Sequence, residues 1–122
     1  MLKPTESELE ILQLLWKNGP SSVREINDEL NKTKEVGYTT TLKIMQIMHG
    51  KELLTRTEKG RYHIYTAAIS QEKTQGQLLD RFVDATFGGQ AMKMVMQTLG
   101  NHKASKEELE AIKKLIENLE NN

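Results

Sequence analysis

The stretch that decides the fold runs from Tyr38 to Thr66, YTTTLKIMQIMHGKELLTRTEKGRYHIYT, and its periodicity changes once, just after Leu53. In the first half, Thr41, Ile44, Met45 and Met48 recur at i, i+3, i+4 and i+7. That spacing predicts a helix opening at the threonine run Thr39, Thr40, Thr41 and continuing to about Lys51. Its outer face then carries Thr39, Thr40, Lys43, Gln46 and Ile47. From Leu54 to Thr66 the chain is rich in Thr, Tyr and Ile around Glu58-Lys59-Gly60, the pattern of two short strands joined by a Gly-containing turn. No other strand signal is evident.

Working outward toward the N-terminus, Ser22 with Glu25 has capping-box spacing and opens a helix whose Val23, Ile26 and Leu30 share a face, ending near Asn31. The polar link Lys32 to Gly37 separates it from the next helix. Before it, Asn18-Gly19-Pro20 stops a first helix, expected over Glu6 to Lys17. Thr5 with Glu8 caps that helix, and Leu9, Leu12, Leu15 and Trp16 share its apolar face. Three helices are thus followed by a hairpin.

Toward the C-terminus, helical periodicity returns from Ser70 in three blocks: Leu78, Leu79, Phe82 and Val83; Met92, Val95, Met96 and Leu99; Leu109, Ile112, Ile116 and Leu119. Gly88-Gly89 and the segment from Gly100 to Ala104 separate them, and Ser105 with Glu108 forms a third capping box. The last block has the 3-4-3 spacing of a coiled-coil seam. So narrow an apolar stripe makes a poor core by itself, so this half is expected to fold on a second copy of the chain. Leu79, Phe82, Val83, Met92, Val95, Met96, Leu109, Ile112, Ile116 and Leu119 are the candidate dimer residues. The expected division is residues 1–69 and 70–122.

Composition excludes several classes. The chain has 122 residues, 28% charged and 37% apolar, with no apolar run approaching the roughly 18 residues of a membrane span. The absence of cysteine removes disulfides, thiol catalysis and thiolate metal sites. The segment Met1, Leu2, Lys3, Pro4 turns acidic without the apolar core of a secretory signal, which predicts a cytoplasmic protein. No metal-ligand spacing relates His49, His63 and His102, and there is no nucleophile elbow, P-loop or dinucleotide fingerprint. Neither enzymatic activity nor a cofactor is expected. Met45, Met48, Met92 and Met96, at helical spacing, read as core filler.

The formal charge is zero, from 17 basic and 17 acidic residues, but it is unevenly distributed. Residues 1–31 carry net −3, residues 32–63 net +4 and residues 64–122 net −1. The positive segment contains Lys32, Lys34, Lys43, Lys51, Arg56, Lys59 and Arg61. A local basic excess is the footprint of a surface that meets phosphate. It coincides with the helix-turn-helix order, in which the last helix presents its N-terminal turns to base edges. Hydroxyls of Thr39 and Thr40 suit phosphates or bases, Lys43 suits phosphate or guanine, Gln46 suits adenine, and Leu42 and Ile47 can meet thymine methyls. Arg56, Lys59 and Arg61 are the expected phosphate contacts of the hairpin, where a tyrosine reads as half-buried packing. The alternative is a protein-interaction adaptor built on the same scaffold without sequence-specific DNA binding.

Three segments carry a resemblance: Thr5-Glu6-Ser7-Glu8-Leu9-Glu10-Ile11-Leu12 through Leu15-Trp16; Tyr38-Thr39-Thr40-Thr41 leading to Lys51-Glu52-Leu53; and Gly60-Arg61-Tyr62-His63-Ile64-Tyr65. With Leu79-Asp80-Arg81-Phe82 and the Leu/Glu/Lys-rich last helix, the chain resembles the BlaI/MecI/CopY family of bacterial repressors along nearly its whole length. The resemblance implies a mainly helical protein with an N-terminal winged helix-turn-helix, three helices plus a hairpin wing, and a C-terminal helical dimerisation region. It implies a homodimer on a palindromic operator and adds Tyr38 to the DNA-contacting set. In the penicillinase-repressor branch it further implies control of β-lactam resistance genes and induction by cleavage through a membrane sensor protease, without direct membrane association. The copper-responsive branch ends in a cysteine-rich motif that this chain lacks. Alignment puts the cleavage region at Gln97-Thr98, although the Asn-Phe pair typical of that branch is absent.

Overall fold

The structure is a computed structural model that describes residues 3–101 and 103–122; His102 lies outside the described residues. It divides into two compact units, Met1–Leu78 and Leu79–Asn122.

In the first unit, α1 (Glu6–Asn18), α2 (Val23–Leu30) and α3 (Tyr38–Gly50) precede a hairpin of β2 (Leu54–Lys59) and β3 (Tyr62–Ala67). Both expected capping boxes form: the Thr5 and Ser22 hydroxyls accept from Glu8 N and Glu25 N, and the two glutamates accept in return from Thr5 N and Ser22 N. Gly19, at φ 80°, ends α1 in a backbone conformation open mainly to glycine. The apolar faces then converge. Ile11, Leu12 and Leu15 of α1, Val23, Ile26 and Leu30 of α2, and Met45 and Met48 of α3 bury against Leu53, Leu54 and Tyr65.

A third strand corrects the sequence reading of a lone hairpin. Ser21–Ser22 forms β1, giving the antiparallel order β1-β3-β2 with Ser21 opposite Tyr65 and Ser22 opposite Ile64. Two serines carry no strand signature; they pair because the chain entering α2 runs beside the hairpin and shares its backbone hydrogen bonds. The Trp16 indole donates to the Ile69 carbonyl at 3.0 Å, tying α1 to the segment that leaves the sheet.

α4 (Gln71–Phe87), α5 (Ala91–Asn101) and α6 (Lys106–Glu120) complete the chain. Gly88 and Gly89 have φ 59° and 83°, and Gly89 N donates to Val83 O at 3.1 Å, closing the end of α4. The third capping box forms at Ser105 and Glu108, and hydrogen bonds from the Ser105 backbone and side chain hold the Glu108 carboxyl below its ordinary pKa. Met92 and Met96 are 70% and 65% exposed, which corrects their reading as core filler. They sit on a helix with no buried residue, unlike Met45 and Met48, which three helices enclose. Val83 is buried and Ile112 half-buried, whereas Leu79, Phe82, Val95, Leu99, Leu109, Ile116 and Leu119 are exposed. Among the described residues no helix is long and apolar enough to cross a membrane.

Candidate nucleic-acid interface

The placement of α3 begins with two asparagines, Asn27 in α2 and Asn31 at its C-cap. Asn27 Nδ2 donates to Thr41 Oγ1 at 2.8 Å and to Val36 O at 3.1 Å. Asn31 brackets Val36, donating to its carbonyl at 2.8 Å and accepting from its amide at 3.1 Å. The link between the helices is therefore anchored at Val36 by both asparagines, and α3 starts at Tyr38 on an N-cap, Gly37, that has no side-chain cap of its own. Thr41 opens the inner face of α3. It is fully buried because its hydroxyl has a partner in Asn27.

With Thr41, Met45 and Met48 turned inward, Tyr38, Thr39, Thr40, Lys43, Gln46 and Ile47 are all exposed. Leu42 is half-buried against the core. The outer face is thus a polar strip with one aliphatic side chain, Ile47, at 45% exposure. Such a strip offers hydroxyl, amide and ammonium donors together with an apolar contact, the set needed to read a major groove.

Ion pairing sorts the basic residues further. Lys32 pairs with Glu29 at 3.1 Å, Lys34 with Glu10 at 2.8 Å and Lys51 with Glu8 at 2.8 Å. Three lysines of the positive segment thereby meet carboxylates of the negative one. Among the described residues, no carboxylate pairs with Lys43, Arg56, Lys59 or Arg61. The Glu8–Lys51 pair is the best shielded, with the Glu8 side chain 4% exposed. Burial by itself would raise the Glu8 pKa, but hydrogen bonds from Lys51 and the Thr5 backbone, with the Lys51 charge, outweigh it and hold the carboxyl below its ordinary value.

The wing is a tight hairpin in which Lys59 pairs with Tyr62 and the loop is Gly60-Arg61, with Gly60 at φ 65°. Glu58 and Lys59, expected in the turn, belong to β2. Alternation along β2 puts Arg56 on the face of Leu54 and Lys59 on the other. The three wing cations therefore do not share one face. Lys59 and Arg61 join Arg24, Tyr38, Leu42 and Tyr62 around an open cleft of about 880 Å³ between the α2 and α3 starts and the hairpin, whereas Arg56 lies outside it. Tyr65 is buried, beyond the half-burial expected, and Tyr62 is exposed. His63 stands edge-on to Tyr65 with ring centroids 6.3 Å apart. Arg24 is the residue that sequence reasoning missed. It lies in the acidic first segment, and only its position 5.1 Å over the Tyr38 ring brings it to this face.

Among the described residues, no group of three His, Asp or Glu side chains is placed to hold a metal ion. The face offers cationic, hydroxyl and amide groups to solvent.

Known proteins share the family and the fold. The family described as Penicillinase repressor matches residues 4–118. The chain is 25% identical over 117 residues to the penicillinase repressor of Bacillus licheniformis, covering 96% of this chain and 91% of the relative. It is 20% identical over 113 residues to the penicillinase repressor of Staphylococcus aureus, covering 93% and 90%. Among solved structures it is similar to the Bacillus licheniformis BlaI monomeric form in complex with the blaP half-operator, at 25% identity and TM-score 0.51, covering 58% of this chain and 87% of that one. An N-terminal winged helix followed by helices, and a family match along nearly the whole length, lead to one assignment: the chain belongs to the penicillinase repressor family, DNA-binding transcriptional repressors and not enzymes.

Proposed function

We propose that this chain represses transcription as a homodimer on a palindromic operator, with α3 in the major groove, the wing on flanking phosphate and the C-terminal helices joining the subunits. The observation that carries the reading is the exposed strip Thr39, Thr40, Lys43, Gln46 and Ile47 beside wing cations that have no carboxylate partner among the described residues. The half-operator bound by the BlaI monomeric form supports the choice of ligand. In this reading residues 1–69 bind DNA and residues 70–122 dimerise, and two-fold symmetry sets half-sites about one helical turn, or a small multiple, apart.

The names of the relatives support β-lactam resistance genes as the targets. Induction then proceeds by sensor-triggered cleavage in the exposed segment around Gln97 and Thr98 of α5. Selection of duplexes from a random-sequence library, followed by mobility shift under competition, tests the operator limb. A palindrome is expected, and failure to enrich any sequence would remove it. For induction, mass spectrometry of the chain from β-lactam-treated cells should find fragments ending within α5; an intact chain despite derepression would exclude cleavage.

A further inference from the structure

The open cleft between the start of α2, the start of α3 and the wing has cations on two walls. Lys59 and Arg61 stand on the hairpin side and Arg24 on the helical side, and Leu42 and Ile64 also line it. Arg24 is exposed, yet its guanidinium carbon sits 5.1 Å from the centroid of the Tyr38 ring. A guanidinium held against an aromatic ring keeps its in-plane N–H donors free, and a planar donor fork fits phosphate oxygens in bidentate fashion. Two acids also line the cleft. The Glu25 carboxylate accepts from Ser22 N at 2.9 Å, which turns it to its own helix start, and Asp28 makes no ion pair with Arg24 among the described residues.

We propose that Arg24, held over Tyr38, is a phosphate-binding residue, and that the cleft takes one sugar-phosphate strand between it and the wing cations Lys59 and Arg61. The inference rests on the DNA-binding reading above and adds a contact from α2 that neither the basic segment nor the recognition helix supplies. It makes the grip two-sided: the strand is held from the helical wall as well as from the hairpin. Tyr38 acts here as the platform that positions Arg24.

The test uses the full chain on two probes, the duplex selected by the unmodified protein and a mixed-sequence duplex of equal length, titrated across salt. Arg24→Gln should weaken both by a similar factor, about 3- to 10-fold at moderate salt, and should lower the salt slope by about one unit for each protomer bound. Tyr38→Ala combined with Arg24→Gln should cost less than the product of the two single losses. If Arg24→Gln changes neither affinity nor slope while Lys43→Ala still weakens binding, the cleft contact is wrong and the DNA face stands. A loss on the selected duplex alone, with the slope intact, overturns the phosphate assignment. If Arg24→Gln and Lys43→Ala are both silent, the DNA-binding face fails and the inference falls with it.

Discussion

Asn27 of α2 donates to the hydroxyl of Thr41 on α3 at 2.8 Å, and Thr41 is fully buried, so the two helices of the reading head are joined by an internal polar bond. A buried hydroxyl that loses its partner costs more than the bond itself is worth, because water cannot replace the partner. Asn27→Ala should therefore destabilise the fold by about 1–3 kcal/mol, read as a lower urea midpoint. Replacing both groups, Asn27→Leu with Thr41→Val, should recover part of that loss, since no polar group is left stranded. An equal or greater loss in the double variant would show that the bond does not set the cost.

The Glu8–Lys51 pair makes a pH-dependent prediction. Glu8 is held below its ordinary pKa in the folded chain, so its contribution is fully present above the unfolded carboxylate pKa and is lost as pH falls through the folded value. Glu8→Gln keeps a capping side chain at that position and removes only the charge. The variant should be less stable by about 1–3 kcal/mol at neutral pH, with the gap closing below about pH 4. Urea midpoints of both proteins between those limits check this, and a constant gap would locate the pair's effect elsewhere.

Lys43 and Gln46 lie three residues apart on the exposed face of α3 but should fail differently. Lys43→Ala removes a charge and should lower affinity for selected and mixed duplexes together, with a shallower salt slope. Gln46→Ala should leave the slope intact, weaken the selected duplex by about 1–3 kcal/mol per half-site, and relax preference at one base pair. Competition titrations with single-base variants of the selected duplex separate the two.

What the sequence discloses and what it hides differ in range. The three capping boxes, the Thr41, Ile44, Met45, Met48 face and the hairpin are set by residues within one or two turns of each other, so spacing reveals them. The Ser21–Ser22 strand needs Ile64 and Tyr65 beside it, and nothing local announces that pairing. Counting charge by segment found a positive stretch but could not find that Lys34 meets Glu10, or Lys51 meets Glu8, across 24 and 43 residues. The same counting left Arg24 among acidic neighbours, although Tyr38 draws it to the opposite account.

The last helix offers the sharpest test of assembly. Leu115, Ile116 and Leu119 of α6 are exposed at 58%, 51% and 64%, so the apolar stripe is wider than the 3-4-3 seam, which omits Leu115. A stripe of this kind left in water has no energetic reason to persist, whereas covering it with a second copy removes apolar area at about 25 cal/mol per Å². Ile116→Glu keeps a good helix former at a position 51% exposed in the protomer, and it places a charge on the proposed seam, which would have to be dry. If the C-terminal helices join two copies as proposed, sedimentation equilibrium should find a dimer for the unmodified chain and monomers for the variant at the same concentration. Binding to the selected palindrome should drop to the level of a single half-site, because the second contact is no longer linked to the first. A variant that stays dimeric would move the interface off α6, toward the exposed residues of α4 and α5.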